Sequence, residues 1–173
     1  VLSDHLIALF IFWELTSITS YLLIGNDDIN PRARAAALQA ILITGMGGLV
    51  LLAGLIIIGQ SAGTYLLSEL ILNPPTGAIV NTGLIFVLIG AFTKSAQAPF
   101  SSWLPGAMVA PTPVSAYLHS ATMVKAGVYL VARLAPMFAL SGNWRLVVLT
   151  VGSATMLIGG LRALRQHDLK LLL

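Results

Sequence analysis

The sequence has 173 residues, of which 57% are hydrophobic and 9% are charged, whereas soluble domains carry about 25% charged residues. This composition excludes a soluble globular domain and predicts an integral membrane protein embedded in the lipid bilayer. The lack of cysteine excludes disulfides, thiolate metal ligands and cysteine nucleophiles. The net charge of +3 rests on few residues and indicates no nucleic-acid partner.

Long apolar segments follow one another along the chain, separated by short polar connectors. A helix needs about 20 apolar residues to cross ~30 Å of hydrocarbon, so we predict an all-α, polytopic transmembrane bundle of about five spans. These spans form part of a single transmembrane domain. We expect the chain to be truncated at both ends, because Asp168 opens a sixth apolar segment that is not completed. The predicted spans are residues 6–25, 35–59, 78–103, 114–140 and 144–164.

Arginines flank these spans unevenly. If the spans alternate in direction, four arginines fall on one side of the membrane and two on the other. Short cytoplasmic loops are enriched in Lys and Arg, so the side with four is predicted to be cytoplasmic. The four are Arg32, Arg34, Arg162 and Arg165, and the two are Arg133 and Arg145.

Four ionisable residues lie well inside the predicted spans: Glu14, Lys94, His119 and Lys125. A charge at the centre of a membrane helix costs about 2.5–3.5 kcal/mol on insertion scales. Such a charge persists only where it is paired or reaches water, and it therefore indicates function. We interpret these four residues as candidate proton-transfer groups.

The first of them lies in the segment FWELTSITSYLLIG. With about 100° between successive residues of a helix, Glu14, Ser17 and Tyr21 share one face. A carboxylate in this position can also serve to fix the packing of neighbouring helices. Inside a membrane span the functional interpretation is favoured.

The segment AFTKSAQAPFSSWLP places a charge beside a helix breaker. Pro99 donates no backbone hydrogen bond, and its ring clashes with the carbonyl of Ser95, one residue after Lys94. A freed carbonyl at membrane depth must be buried in protein or face water. We therefore expect a helix break near Pro99, unpaired carbonyls near Ser95 and a polar pocket; a plain proline kink is the alternative. Small and polar residues line this helix at Gly83, Val87, Gly90, Lys94, Gln97 and Ser101.

The fourth span carries a polar arc on an otherwise apolar helix. Histidine and lysine side chains exchange protons when their surroundings permit, so the arc indicates a proton path facing the protein interior near the Lys94 break. Alternatively, His119 is a packing histidine, and Arg133 is interpreted as extending toward the membrane surface. The arc consists of Ser115, His119, Thr122, Lys125, Tyr129 and Arg133.

Four segments resemble the antiporter-like membrane subunits shared by respiratory complex I and the Mrp-type cation/proton antiporters. They are FWELTSITSYLLIG, AFTKSAQAPFSSWLPGAM, APTPVSAYLHSATMVKAGVYLVARL and QHDLKLLL. The resemblance covers nearly the whole chain and is nearest to the large A-type subunit of the Mrp Na⁺/H⁺ antiporter. Lys125 favours the Mrp type, since the matching segment of complex I subunit L usually has a non-basic residue there.

The resemblance implies roles for individual residues. Glu14 and Lys94 would form an interacting pair, with the helix that carries the lysine broken around Pro99. His119 and Lys125 would link this pair to the middle of the membrane. Residues expected to support the relay are Ser17, Gln97, Thr122 and Lys170.

The function implied by the resemblance is exchange of H⁺ for Na⁺ by one subunit of a hetero-oligomeric antiporter in a bacterial inner membrane. Such a subunit is a transporter without cofactors, and the residues that bind the cation stay unassigned. The main alternative is a proton-pumping subunit of NADH–quinone oxidoreductase or of a related membrane hydrogenase. A haem- or quinone-binding protein is disfavoured because His119 is the only histidine at membrane depth. A purely structural scaffold would tolerate neutral replacement of Glu14 and Lys94.

Overall fold

The structure is a computed structural model that describes residues 2–138 and 141–168, except for the side chains of residues 119–121. All regular structure in this part of the chain is helical, which confirms the predicted fold class. The helices are α1 (Leu6–Ile24), α2 (Pro31–Ala62), α3 (Leu67–Leu72), α4 (Ala78–Lys94), α5 (Trp103–Ala107), α6 (Thr112–Ser115), α7 (Met123–Phe138) and α8 (Gly142–Ala163).

Among the residues that the structure describes, four helical segments are long and apolar enough to cross a membrane, judged by length and composition. One of them is continuous from Thr112 to Phe138 because a π-helical segment, Ala116–Thr122, joins α6 to α7. Helix α4, which begins the third predicted span, is also apolar but has only 17 residues. The other membrane-length segments are α1, α2 and α8.

A short helix that the sequence analysis did not predict, α3, lies between α2 and α4. The carboxylate of Asp4 accepts hydrogen bonds from the backbone N–H of Ser68, at 2.9 Å, and from its hydroxyl, at 2.6 Å. These bonds tie α3 to the residues that precede α1. A helix of six residues shows little hydrophobic periodicity, so the sequence pattern does not indicate α3.

Glycines allow α2 and α4 to approach each other closely. A Cβ atom on Gly90 would lie 2.7 Å from the carbonyl oxygen of Gly47, and one on Gly54 would lie 2.6 Å from that of Gly83. Both distances are too short for a side chain to fit without movement of the backbone. The small residues predicted along the third span therefore do permit close helix packing.

The third predicted span is discontinuous, as expected, but the break starts earlier than predicted. Helix α4 ends at Lys94, and Ala96 then adopts a left-handed conformation with φ of 51°. A left-handed residue cannot continue a right-handed helix. Pro99 consequently lies in the turn that follows α4, and the chain becomes helical again at residues 100–107.

The expectation of unpaired carbonyls near Ser95 is wrong. Side chains of the broken segment itself pair with them: Gln97 Nε2 donates to the Ser95 carbonyl at 3.3 Å, and Trp103 Nε1 donates to the Thr93 carbonyl at 3.0 Å. The backbone N–H of Ala98 donates to Thr155 Oγ1 of α8 at 2.9 Å. The prediction considered only the backbone and so missed these partners.

Candidate functional site

The centre of the site is the side chain of Lys94, which is completely buried at the C-terminal end of α4. Its Nζ donates hydrogen bonds to the carbonyl oxygen of Trp13, at 2.7 Å, and to Ser17 Oγ, at 2.6 Å. The same atom lies 5.0 Å from the centroid of the Trp13 ring. An ammonium ion therefore has two oxygen acceptors and one aromatic face around it, all supplied by α1.

The end of α4 is suited to a positive charge. The last carbonyls of a helix carry partial negative charge, which stabilises cations in the last turn. Because α4 stops at Lys94 rather than continuing to Trp103, this favourable end of the helix lies inside the protein at the lysine. The early end of α4 thus helps to stabilise a positive charge on the buried lysine.

Glu14 lies on α1 and packs against α2 at Gly48. A Cβ atom on Gly48 would overlap the Glu14 carboxylate, so a side chain there would require the flexible end of Glu14 to shift. Glu14 Oε1 is buried and has no hydrogen-bond partner among the described residues. Buried polar atoms usually have a hydrogen-bond partner, so this oxygen is an exception within the described structure.

Lys94 bonds the carbonyl of Trp13, the residue before Glu14, but within the described part of the chain Glu14 and Lys94 form no direct ion pair. The interacting pair therefore stays a prediction. An ammonium group has three N–H donors, and Lys94 uses two of them on Trp13 and Ser17. One N–H of Lys94 and the Oε1 atom of Glu14 therefore have no hydrogen-bond partner among the described residues.

Lys125 does not lie in the Lys94 site. It is exposed and lines a cavity of about 320 Å³ between α1 and α7, together with Thr16, Thr122 and Tyr129. Within the described part of the chain the Lys125 side chain is exposed, and its predicted location facing the interior near the break stays a prediction. The side chain of Trp13 lines the same cavity and also contacts Lys94.

A cavity lies at the helix break, but Lys94 does not line it, so the described residues do not show the expected single pocket for the break and the charge. This cavity, of about 350 Å³, lies between the broken segment and α8, and Gln97, Ser101, Thr155 and Arg162 line it. Arg162 donates to Ser101 Oγ at 3.4 Å. Gln97 therefore belongs to this cavity and not to the surroundings of Lys94.

Two sequence-predicted residues lie outside what the structure describes. The backbone of His119 belongs to the π-helical segment, but its side chain is outside the described residues. Lys170 lies wholly outside the described residues. The described residues contain no cluster of three or more His, Cys, Asp and Glu side chains suited to a metal ion.

Sequence reasoning missed Trp13, which contributes more contacts to Lys94 than any residue that was predicted. The usable signal was its spacing, since Trp13 and Ser17 are four residues apart and therefore adjacent on one face of α1. The face predicted from Glu14 included Ser17 but not Trp13.

A broken apolar helix with a buried lysine, packed among membrane-length helices, defines a multi-pass membrane protein with a charged interior site. Residues 3–173 match the family described as "NADH:quinone oxidoreductase/Mrp antiporter, TM", and the chain belongs to this family.

Named relatives are similar over essentially the whole chain. The chain is 53% identical to a probable K⁺/H⁺ antiporter protein of the A/B type from Rhizobium meliloti, covering 100% of this chain and 18% of that protein. It is 52% identical to the A1 protein of a Na⁺/H⁺ antiporter from Staphylococcus saprophyticus, covering 98% of this chain and 22% of that protein. The chain thus spans about a fifth of the length of these relatives.

Two solved structures have the same fold. The Mrp complex from Dietzia sp. DQ12-45-1b superposes with a TM-score of 0.93 at 40% identity, covering 99% of this chain and 19% of that chain. The membrane-bound sulfane sulfur reductase, described as an archaeal respiratory membrane complex, superposes with a TM-score of 0.88 at 27% identity, covering 98% and 36%. The fold is therefore shared by an Mrp complex and an archaeal respiratory membrane complex.

Two buried serines of α1 provide a matched test of the site. Ser17 accepts a hydrogen bond from Lys94, whereas Ser20 bonds only within its own helix, to the Thr16 carbonyl at 2.6 Å. Losing a hydrogen bond to a charged group costs about 1.5–3 kcal/mol, so Ser17→Ala is expected to lower the free energy of unfolding by about this amount. Ser20→Ala, which loses a bond to a neutral carbonyl within its own helix, should lower it less. Equal thermal stability of the two purified variants would show that Ser17 plays no part in holding Lys94.

Proposed function

We propose that this chain is the proton-transfer part of a cation/proton antiporter, in which H⁺ moves through Glu14 and Lys94 in exchange for Na⁺. The observation that carries the proposal is the buried amine of Lys94, which bonds Ser17 and the carbonyl of Trp13, the residue before Glu14 on α1. Relatives named as Na⁺/H⁺ and K⁺/H⁺ antiporter subunits support it. The Na⁺/H⁺ name of the second relative favours sodium, and potassium is the competing cation.

The proposed chemistry requires no bond changes other than proton transfer. A water molecule between Lys94 and Glu14 would use the third N–H of the ammonium and the unpartnered Oε1 of the carboxylate. A nearby carboxylate favours the charged form of a buried amine. Protonating Glu14 or moving it away would therefore release the Lys94 proton, and the two groups would titrate as a unit.

The onward route is proposed to pass Trp13 and reach Lys125, with His119 taking part in the same relay. The wall of the Lys125 cavity is mainly apolar, and its polar groups on Thr16, Thr122 and Tyr129 would hold the water that this route requires. Ser17 supports the ammonium directly. Gln97 supports the break instead, by pairing the Ser95 carbonyl, and Lys170 is proposed to continue the path beyond the described residues.

The chain is proposed to be one part of a single transmembrane domain in a hetero-oligomeric complex of a bacterial plasma membrane. Helix α8 supports this arrangement, because Trp144 is its one buried residue within the described structure. The remaining surface of α8 is available to other helices and to lipid. Transport, rather than covalent catalysis, is the proposed activity.

A second candidate function is proton pumping within a redox complex. The similarity to a respiratory membrane complex favours it, as does a family that includes NADH:quinone oxidoreductase. The two functions differ in their driving force. An antiporter moves protons in vesicles when a sodium gradient is imposed without NADH, whereas a redox pump requires electron transfer.

The proposed function is tested by neutralising the pair in the full-length protein. Glu14→Gln and Lys94→Met should each abolish sodium-driven proton movement, because each removes one partner of the interaction that controls proton release. The control is Glu69→Gln, which removes a carboxylate of α3 that bonds Thr64 outside the site. Dye-monitored pH change in vesicles, at equal amounts of assembled protein, provides the measurement. Wild-type rates in the Lys94 variant would contradict the proposal.

The relay beyond the pair is tested at Lys125. Lys125→Ala should slow proton movement several-fold while the protein still assembles, because the residue is exposed and contributes little to packing. His119→Ala should have a smaller effect, since a bridging water serves nearly as well as a direct hydrogen bond. Arg133→Ala is the matched control on the same helix. If Lys125→Ala transports protons at the rate of the Arg133 variant, the proton path does not include Lys125.

A further inference from the structure

Trp13 contacts both of the lysine environments in the structure. Its carbonyl oxygen accepts from Lys94 Nζ at 2.7 Å, and its ring centroid lies 5.0 Å from the same nitrogen. Its side chain also forms part of the wall of the cavity that Lys125 lines. The residue is almost fully buried, having a relative exposure of 5%.

The face of an indole ring attracts a cation, and the attraction strengthens when both groups are removed from water. Lys94 is fully buried, so it meets this condition. The Trp13 carbonyl belongs to the backbone of α1 and cannot follow the lysine if it moves. The ring and the carbonyl together therefore define one position for the charged ammonium.

The ring itself is not fixed by a hydrogen bond. Trp13 Nε1 is buried and has no hydrogen-bond partner among the described residues. Buried indole N–H groups usually have one. Packing and the charge of Lys94 are thus the interactions that hold the ring, and the second of these disappears when the lysine loses its proton.

We propose that Trp13 is a positioning residue for proton transfer, whose ring face holds the charged Lys94 apart from the Lys125 cavity. This inference rests on the proposed function and adds a residue to it. Trp13 does not carry the proton; it determines where the proton is held before release.

The proposal is tested by placing tryptophans with increasing numbers of ring fluorines at position 13 of the full-length protein. Fluorine withdraws electron density from the ring face and leaves the shape of the side chain nearly unchanged. The rate of sodium-driven proton movement in vesicles should fall stepwise with each added fluorine. A rate that stays constant across the series, or rises, would overturn the proposal.

Trp144 is the matched control, because it has the same relative exposure of 5% and packs on Phe138 away from Lys94. The same fluorinated series at Trp144 should leave the rate unchanged. A fall of equal size at both positions would mean that fluorination acts through packing, and it would also overturn the proposal.

Two conventional variants separate the ring face from the indole N–H. Trp13→Phe keeps an aromatic face and should retain most of the activity, whereas Trp13→Leu should lose about tenfold, as expected for a desolvated cation–ring contact. Equal activity in these two variants, at equal amounts of assembled protein, would overturn the proposal. Failure of the proposed function is distinguishable, because it would appear as normal transport in Lys94→Met.

Discussion

The structure depends on the burial of one positive charge within a membrane-spanning bundle. An unpaired lysine is costly at membrane depth, and Lys94 is nevertheless completely buried. Three features compensate for this cost: the carbonyl and hydroxyl oxygens of α1, the face of the Trp13 ring, and the negative end of α4. The last of these requires α4 to stop at the lysine, so the break in the helix is part of the same arrangement.

Helix α2 has glycines at the positions where side chains of α1 and α4 pack against it. Gly48 leaves room for the Glu14 carboxylate from α1, and the adjacent Gly47 leaves room for Thr93, the residue before Lys94 on α4. Two successive glycines therefore accept groups from two different helices. The helices that carry the acid and the amine can therefore both pack closely against α2.

The sequence was sufficient to predict the fold class and the discontinuous third span. These predictions rest on strong local signals, namely long apolar segments and charges within them. The position of the break was not predictable from Pro99, because the left-handed Ala96 ends the helix first. The contacts of Trp13 and the exposed location of Lys125 depend on how α1 packs against α4 and α7, and helix periodicity alone does not contain that information.

The central claim is that the position of the Glu14 carboxylate relative to Lys94 controls proton movement, and Gly48→Ala tests it most directly. The added methyl group would displace the flexible end of Glu14 while keeping every charge, whereas a Cβ atom on Gly45, in the same helix, would meet open space. In vesicles with equal amounts of assembled protein, sodium-driven proton movement should be several-fold slower in Gly48→Ala and unchanged in Gly45→Ala. Wild-type rates in Gly48→Ala would contradict the account.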